Sequence, residues 1–116
     1  MRVLVCGGRD YLDYQEVSSQ LHSIYAKLID EELVIIQGEA KGADFLAKAF
    51  AYEFGLDCEE YPADWKQYGK AAGSIRNQQM LDEGKPDLVV AFPGGTGTAD
   101  MVRRAKKAGL EVIEVE

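Results

Sequence analysis

Short apolar runs alternate with helix-patterned segments along the whole chain. Three of these runs, Val3–Cys6, Leu33–Gln37 and Leu88–Phe92, are continuous and rich in valine, isoleucine and leucine, which is typical of strands covered by helices on both faces. Two further candidates, Asp57–Tyr61 and Glu111–Val115, carry charge, as edge strands often do. The pattern predicts five strands, three inside a sheet and two at its edges.

Four helices are predicted between these strands. Apolar residues recur at helical spacing in three segments: Val17, Leu21, Ile24 and Leu28, then Ala43, Leu46, Ala47, Phe50 and Phe54, then Met101, Ala105 and Ala108. A less regular helix is expected from about Ala72 to Glu83, ending at Gly84 and Pro86. The order βαβαβαβαβ predicts an α/β domain with a parallel sheet.

The polarity of the strands predicts their order in the sheet. With the apolar strands inside, the charged ones at the edges and right-handed crossovers, the order is 3-2-1-4-5. We therefore expect residues 1–116 to form one three-layer α/β domain. In this order the winding direction reverses between the first and fourth strands. Open parallel sheets bind ligands at such a point, beyond the carboxyl ends of the strands.

A glycine-bearing loop follows each of the three interior strands. These loops are "CGGRD" (Cys6–Asp10), "QGEAKGAD" (Gln37–Asp44) and "FPGGTGT" (Phe92–Thr98), and all are expected at one edge of the sheet. In the last loop the glycines expose backbone N–H groups where a helix begins, a combination that binds phosphate. No lysine follows its last glycine as in a Walker A motif, and "CGGRDY" does not fit GxGxxG.

The loops and the helix that precedes the fourth strand supply the predicted ligand-binding residues. They are Gly7, Gly8, Arg9, Asp10, Gly38, Gly42, Asp44, Arg76, Asn77, Pro93, Gly94, Gly95, Thr96, Gly97 and Thr98. For several of them a simpler role stays open. If they do not bind the ligand, Arg9 is expected to be a solvated side chain and Asp10 the N-cap of a helix. Asp44 would then interact with the dipole of its helix. Arg76 is either a phosphate clamp or half of a surface ion pair.

A long polar loop and a basic helix face remain. The loop Tyr61–Gly73 is long for so small a domain, and loops of this length are often lids or binding loops. Its Trp65 either stacks on a base or covers the edge of the sheet. The pairs Arg103-Arg104 and Lys106-Lys107 lie opposite the apolar stripe of the last helix, where a solvated face is the simplest expectation.

Composition excludes several classes of function. The net charge of −7 argues against binding to a nucleic-acid backbone. The two cysteines lack CxxC spacing, which favours reduced thiols. With one histidine and no cluster of cysteines, we expect no transition-metal site. We also expect no cofactor. No apolar stretch is long enough to span a bilayer, and Met1–Leu4 enters a strand too directly for a signal peptide. We therefore expect a cytoplasmic protein.

Four segments together resemble a known family. "CGGRD", "GEAKGAD", "ADWKQYGKAAGSIRNQQM" and "AFPGGTGTADM" are similar to the YspA-type branch of the SLOG superfamily. These small Rossmann-like domains are related to the LOG phosphoribohydrolases and to the DNA-processing protein DprA. The resemblance covers nearly the whole chain and implies a nucleotide or nucleotide-derived ligand, bound by the PGGxGT loop.

The resemblance also implies candidate catalytic residues. LOG enzymes carry an R-x-x-x-M segment and a PGGxGTxxE segment that support cleavage of an N-glycosidic bond. Arg76 to Met80 matches the first, whereas Met101 stands at the glutamate position of the second, with Asp100 one residue earlier. Arg76 and Asp100 are therefore the catalytic candidates, with Asp100 expected in the first turn of the last helix.

Two functions from different classes stay open. One is a nucleotide-binding module that senses or processes its ligand. The sequence also leaves open whether the protein forms a homodimer. The other is a nucleoside 5′-monophosphate N-glycosidase, in which Asp100, Asp44 or Glu39 would stabilise an oxocarbenium-like transition state.

Overall fold

The computed structural model describes residues 1–116, and its strands form one parallel sheet. The strands are β1 (Arg2–Cys6), β2 (Val34–Gln37), β3 (Asp57–Glu60), β4 (Leu88–Ala91) and β5 (Glu111–Glu114). They follow the order β3-β2-β1-β4-β5, and every neighbouring pair is parallel. The predicted strand order and fold class are confirmed, with ends that differ from the expected ones by one residue.

Helices cover both faces of the sheet. They are α1 (Tyr14–Ala26), α2 (Ala43–Glu53), α3 (Trp65–Tyr68), α4 (Ala72–Gly84) and α5 (Thr96–Lys107). A 3₁₀ turn at Gly69–Ala71 joins α3 to α4. No helix combines the length and apolar character that a membrane crossing requires.

The side chains of β1 alternate between two apolar cores. Val3 and Val5 are buried in the core that also contains Val17 of α1 and Phe50 of α2. Leu4 and Cys6 belong to the opposite core, which includes Met80 of α4 and Met101 of α5. Successive residues of a strand point to opposite faces of the sheet, so this alternation gives the three layers that the apolar runs predicted.

Local structure corrects three expectations about the ends of helices and loops. Asp13, rather than Asp10, caps α1, because its carboxylate accepts the N–H of Glu16 at 3.1 Å. Helix α4 includes Gly84 as its last residue, and its C-cap Lys85 is left-handed with φ 47°. The polar loop Tyr61–Gly73 contains α3 and the 3₁₀ turn, so it is more ordered than its composition indicated.

Candidate functional site

A cleft of about 700 Å³ lies at the carboxyl edge of the sheet. The predicted residues that line it are Gly7, Gly8, Arg9, Asp44, Arg76, Asn77, Gly95, Thr96, Gly97, Thr98 and Asp100. The predicted residues that do not line it are Asp10, Gly38, Gly42, Pro93 and Gly94. The structure thus brings side chains from four separate segments of the chain to the point where the winding direction reverses.

The loop between β4 and α5 presents a run of free backbone donors. None of the N–H groups of Gly94, Gly95, Thr96, Gly97 and Thr98 donates to a protein acceptor. Helix α5 begins at Thr96, and its N-cap Gly95 has no side chain that could satisfy these donors. The free N–H groups and the positive end of the helix dipole together favour an anion at this place.

The glycines of the cleft have two different roles. A Cβ on Gly8 would lie 2.9 Å from the carbonyl oxygen of Pro93, and one on Gly7 would lie 2.6 Å from the Cβ of Ala43. Both glycines are required because a side chain at Gly7 would clash with α2 and one at Gly8 with the β4–α5 loop. A Cβ on Gly95 or Gly97, by contrast, would meet nothing within 4 Å. The open space above these two glycines is where a ligand can approach the donors.

Arg76 is half-buried and fixed in place by backbone oxygens. Its Nη1 donates to the carbonyl of Gly38 at 2.5 Å and, more weakly, to that of Tyr61 at 3.4 Å. Its Nε donates to the side chain of Asn77 at 3.2 Å, and Nη2 has no protein partner. Burial lowers the pKa of Arg76 from its usual value, and nearby Asp44 opposes that shift. Arg76 thus keeps one donor nitrogen for a ligand and forms no surface ion pair.

Asn77 links the helices that flank the cleft. It is 6% exposed, and its amide nitrogen donates to the carbonyl of Gly97 and to Asp100 Oδ2, both at 3.1 Å. Because its amide oxygen also accepts from Arg76, its hydrogen-bonding groups are all engaged within the protein. We expect Asn77 to position α5 and Arg76 rather than to bind the ligand.

The carboxylate of Asp100 is held by three donors. Oδ2 accepts from Asn77 and from Arg104 Nε at 2.8 Å, and Oδ1 accepts from Arg103. Partial burial alone would raise the pKa of Asp100, but these donors outweigh it and hold the pKa below its usual value. Because α5 begins at Thr96, Asp100 lies beyond the first turn, so the expected position in the first turn is wrong.

Asp44 has the opposite surroundings. It is 6% exposed, and its Oδ2 accepts the N–H groups of Gly38 at 3.2 Å and Ala40 at 3.3 Å. Its Oδ1 has no protein partner. Burial raises the pKa of Asp44 to about 6, although the two N–H groups and nearby Arg76 oppose the shift. This carboxylate therefore shapes the β2–α2 loop with one oxygen and faces the cleft with the other.

Arg9 and Trp65 form the rim of the cleft. The guanidinium carbon of Arg9 lies 5.4 Å from the centre of the Trp65 ring, a distance at which a cation and an aromatic face attract each other. Trp65 belongs to α3 and is 48% exposed. The long polar segment thus contributes an aromatic surface to the cleft and does not simply cover an edge strand.

Comparison with known proteins identifies the family of this chain. The sequence profile of the YspA, cpYpsA-related SLOG family matches residues 1–68. The chain belongs to this family. It is also 37% identical to the Gene 61 protein of Mycobacterium phage D29, over 97% of this chain and 94% of the phage protein.

A solved structure supports the fold at larger distance. The UDP-GlcNAc 2-epimerase from Methanocaldococcus jannaschii matches with a TM-score of 0.53 and 20% sequence identity. The match covers 100% of this chain but only 31% of the epimerase chain. At this identity the likeness concerns the Rossmann-type architecture alone.

Several residues that line the cleft were not predicted as site residues. They are Cys6, Ala40, Trp65, Lys70, Gly73, Ser74, Met80 and Arg103. Arg103 and Arg104 were assigned to a solvated face because they lie opposite the apolar stripe of α5. Arg104 is in fact half-buried between Asp100 and Gln78. The signal that could have found both arginines is their spacing of three and four residues from Asp100.

Proposed function

We propose that the cleft binds a nucleotide or a nucleotide-derived phosphoribosyl ligand, with a phosphate at the Gly94–Thr98 loop. The observation that carries the proposal is the run of backbone N–H groups without protein acceptors at the start of α5. Four of these donors, on Gly95, Thr96, Gly97 and Thr98, belong to residues that line the cleft, where water or a ligand must satisfy them. Membership of the SLOG family supports a nucleotide-related ligand.

The charges around the cleft support the same ligand class. Four cationic side chains line it, those of Arg9, Lys70, Arg76 and Arg103. The chain as a whole has a net charge of −7, so these cations form a local exception. A small anionic ligand suits such a cleft better than a long polyanion, which would meet the acidic surface around it.

A titration panel tests the proposal. Nucleoside monophosphates, ADP-ribose and ribose 5-phosphate are titrated into the protein by calorimetry, with the matching nucleosides as controls. We expect binding of at least one phosphorylated compound and much weaker binding of its nucleoside, because the N–H groups of the loop recognise phosphate. If the nucleosides bind as tightly as the phosphates, the proposed role of the loop is wrong.

Asp44 favours a second candidate function, hydrolysis of the N-glycosidic bond. A carboxylate whose pKa is raised to about 6 and whose Oδ1 faces the cleft is suited to proton transfer near neutral pH. Asp100 is less suited, because Arg103 and Arg104 already neutralise its charge and the amide of Asn77 also donates to it. Release of free base from a bound monophosphate, abolished in Asp44→Asn, is the expected result for a hydrolase. Binding without base release would assign the chain to the sensing class.

A further inference from the structure

Asp44 Oδ1 is an unpaired polar atom in the cleft. Both protein hydrogen bonds to this carboxylate end on Oδ2, and no cationic nitrogen lies within ion-pair distance of it. No fully buried polar side-chain atom of the protein lacks a partner. Oδ1 is therefore accessible, and because Asp44 lines the cleft, the access is from there.

A free carboxylate oxygen is unfavourable for a phosphate in the same cleft. The two anions repel each other, and Asp44 is otherwise almost fully buried, so solvent screens that repulsion poorly. If phosphate alone were bound, an asparagine at this position would serve the β2–α2 loop equally well. The carboxylate has a use only if the ligand brings a hydrogen-bond donor to it.

We propose that Asp44 recognises the sugar of the ligand, with Oδ1 accepting a hydrogen bond from a ribose hydroxyl while the phosphate occupies the Gly94–Thr98 loop. This inference rests on the proposed function and adds to it a residue that determines specificity. Hydroxyl groups donate well to carboxylates, whereas repulsion keeps a second phosphate away from Asp44. The cleft then selects hydroxyl-bearing sugar phosphates and fixes the direction in which they bind.

Two probes that differ only in hydroxyl groups test this inference. Ribose 5-phosphate and tetrahydrofurfuryl phosphate share a five-membered ether ring and a phosphate, and the second lacks the ring hydroxyls. By calorimetry we expect the wild-type protein to bind ribose 5-phosphate at least about tenfold more tightly, as the loss of a charge-assisted hydrogen bond predicts. In Asp44→Asn we expect the two affinities to agree within about threefold.

Asp44→Asn is close to an ideal replacement for this purpose. The amide oxygen can accept the N–H groups of Gly38 and Ala40 that Oδ2 accepts now, while the amide NH₂ replaces Oδ1 in the cleft. Circular dichroism melting checks that the variant is folded. Asp44→Glu is the second variant, since it keeps the charge but moves it by one methylene, and it should also lose selectivity. Asp57→Asn, an exposed carboxylate remote from the cleft, is the matched control and should keep wild-type selectivity.

The outcomes separate this inference from the function on which it rests. If wild-type protein binds both probes equally tightly, the phosphate site stands and the role of Asp44 is wrong. The same conclusion holds if Asp44→Asn keeps the full preference for ribose 5-phosphate. If neither probe nor any nucleotide binds, the proposed function fails, and this inference fails with it.

Discussion

The two carboxylates of the cleft differ in what surrounds them. Asp100 accepts hydrogen bonds from three side-chain donors, so its ionised form is stabilised. Asp44 is buried with only two backbone donors, so its ionised form is disfavoured. A group in the first situation stabilises the fold at neutral pH, whereas a group in the second destabilises it there.

Asp44→Asn is expected to stabilise the protein near neutral pH. The folded-state pKa of about 6 lies above the ordinary value of a free aspartate, so the folded state binds more protons than the unfolded state between about pH 4 and 6. The cost of the charge is therefore fully present above pH 6 and disappears as the pH falls towards 4. Urea unfolding should show the variant about 2 kcal/mol more stable at pH 7.5, with no difference at pH 4. If the variant and the wild type are equally stable at pH 7.5 as well as at pH 4, the proposed cost of the Asp44 charge is wrong.

Asp100→Asn is expected to destabilise the protein. The substitution removes the charge that Arg103 and Arg104 contact, so we expect a loss of about 1–2 kcal/mol at pH 7. Because the folded-state pKa is lowered, the difference should shrink as the pH falls through that pKa. Asp10→Asn, an exposed carboxylate without a side-chain partner, is the control. If Asp100→Asn destabilises the protein no more than the control does, the ion pairs of Asp100 with Arg103 and Arg104 do not stabilise the fold.

Arg76→Lys is expected to weaken ligand binding by about 1.5–3 kcal/mol. Lysine cannot both reach the carbonyl of Gly38, as Nη1 does now, and offer a second nitrogen to the ligand. Calorimetry with the nucleotide that binds best checks this. Arg2→Lys makes the same change at the opposite edge of the sheet, where Arg2 pairs with Glu59. If Arg76→Lys binds the nucleotide as tightly as Arg2→Lys does, Arg76 does not contact the ligand.

At the scale of the elements, glycines let three loops pack closely at the sheet edge. Gly42 has φ +76°, and a Cβ there would collide with the carbonyl of Gly8 and lie 2.7 Å from that of Arg9. The N–H of Ala43 donates to the same Gly8 carbonyl at 3.2 Å, and the N–H of Gly8 donates to Pro93 at 2.9 Å. The start of α2, the β1–α1 loop and the β4–α5 loop are thus joined directly through their backbones.

Gly42→Ala therefore tests whether the loops are coupled. Gly55 has a similar φ of +66° but open space around it, so Gly55→Ala measures the cost of the backbone conformation alone. We expect Gly42→Ala to be the more destabilising by at least about 1–2 kcal/mol in chemical denaturation, because the added methyl also displaces two loops. Equal losses for the two variants would show that the loops do not constrain each other.

The sequence predicted the elements better than the contacts between them. Continuous apolar runs such as Leu88–Ala91 indicated interior strands because both faces of a buried strand must be apolar. Arg104 was placed on a solvated face, although it is half-buried against Asp100 and Gln78, because the periodicity of one helix does not describe its contacts with a neighbouring helix. The helix at Trp65–Tyr68 was missed because a single turn leaves no periodic pattern.

At the scale of the whole molecule, the strand order determines where chemistry can occur. The predicted order 3-2-1-4-5 is confirmed, and the free N–H groups, Arg76 and Asp44 all lie at the carboxyl edge beside β1 and β4. The topology and the glycine pattern predicted that the candidate site lies at this edge, and the structure has a cleft there. The environments of Asp44 and Asp100 were not predictable, because they depend on which donors the tertiary structure brings to each oxygen.

The central claim is that a phosphate binds above Gly95, and calorimetry on Gly95→Val tests it most directly. The added side chain meets no protein atom within 4 Å of its Cβ, so it fills the phosphate position without a clash. The backbone of Gly95, with φ −99° and ψ −142°, lies outside the β region, so we expect the valine to cost about 1–3 kcal/mol of stability. Circular dichroism melting checks that the variant is folded. Ala99→Val, exposed in the same helix but outside the cleft, is the matched control. We predict that wild type and Ala99→Val bind the same nucleoside monophosphate and that Gly95→Val does not. A Gly95→Val protein that binds it as tightly as the wild type would contradict the claim.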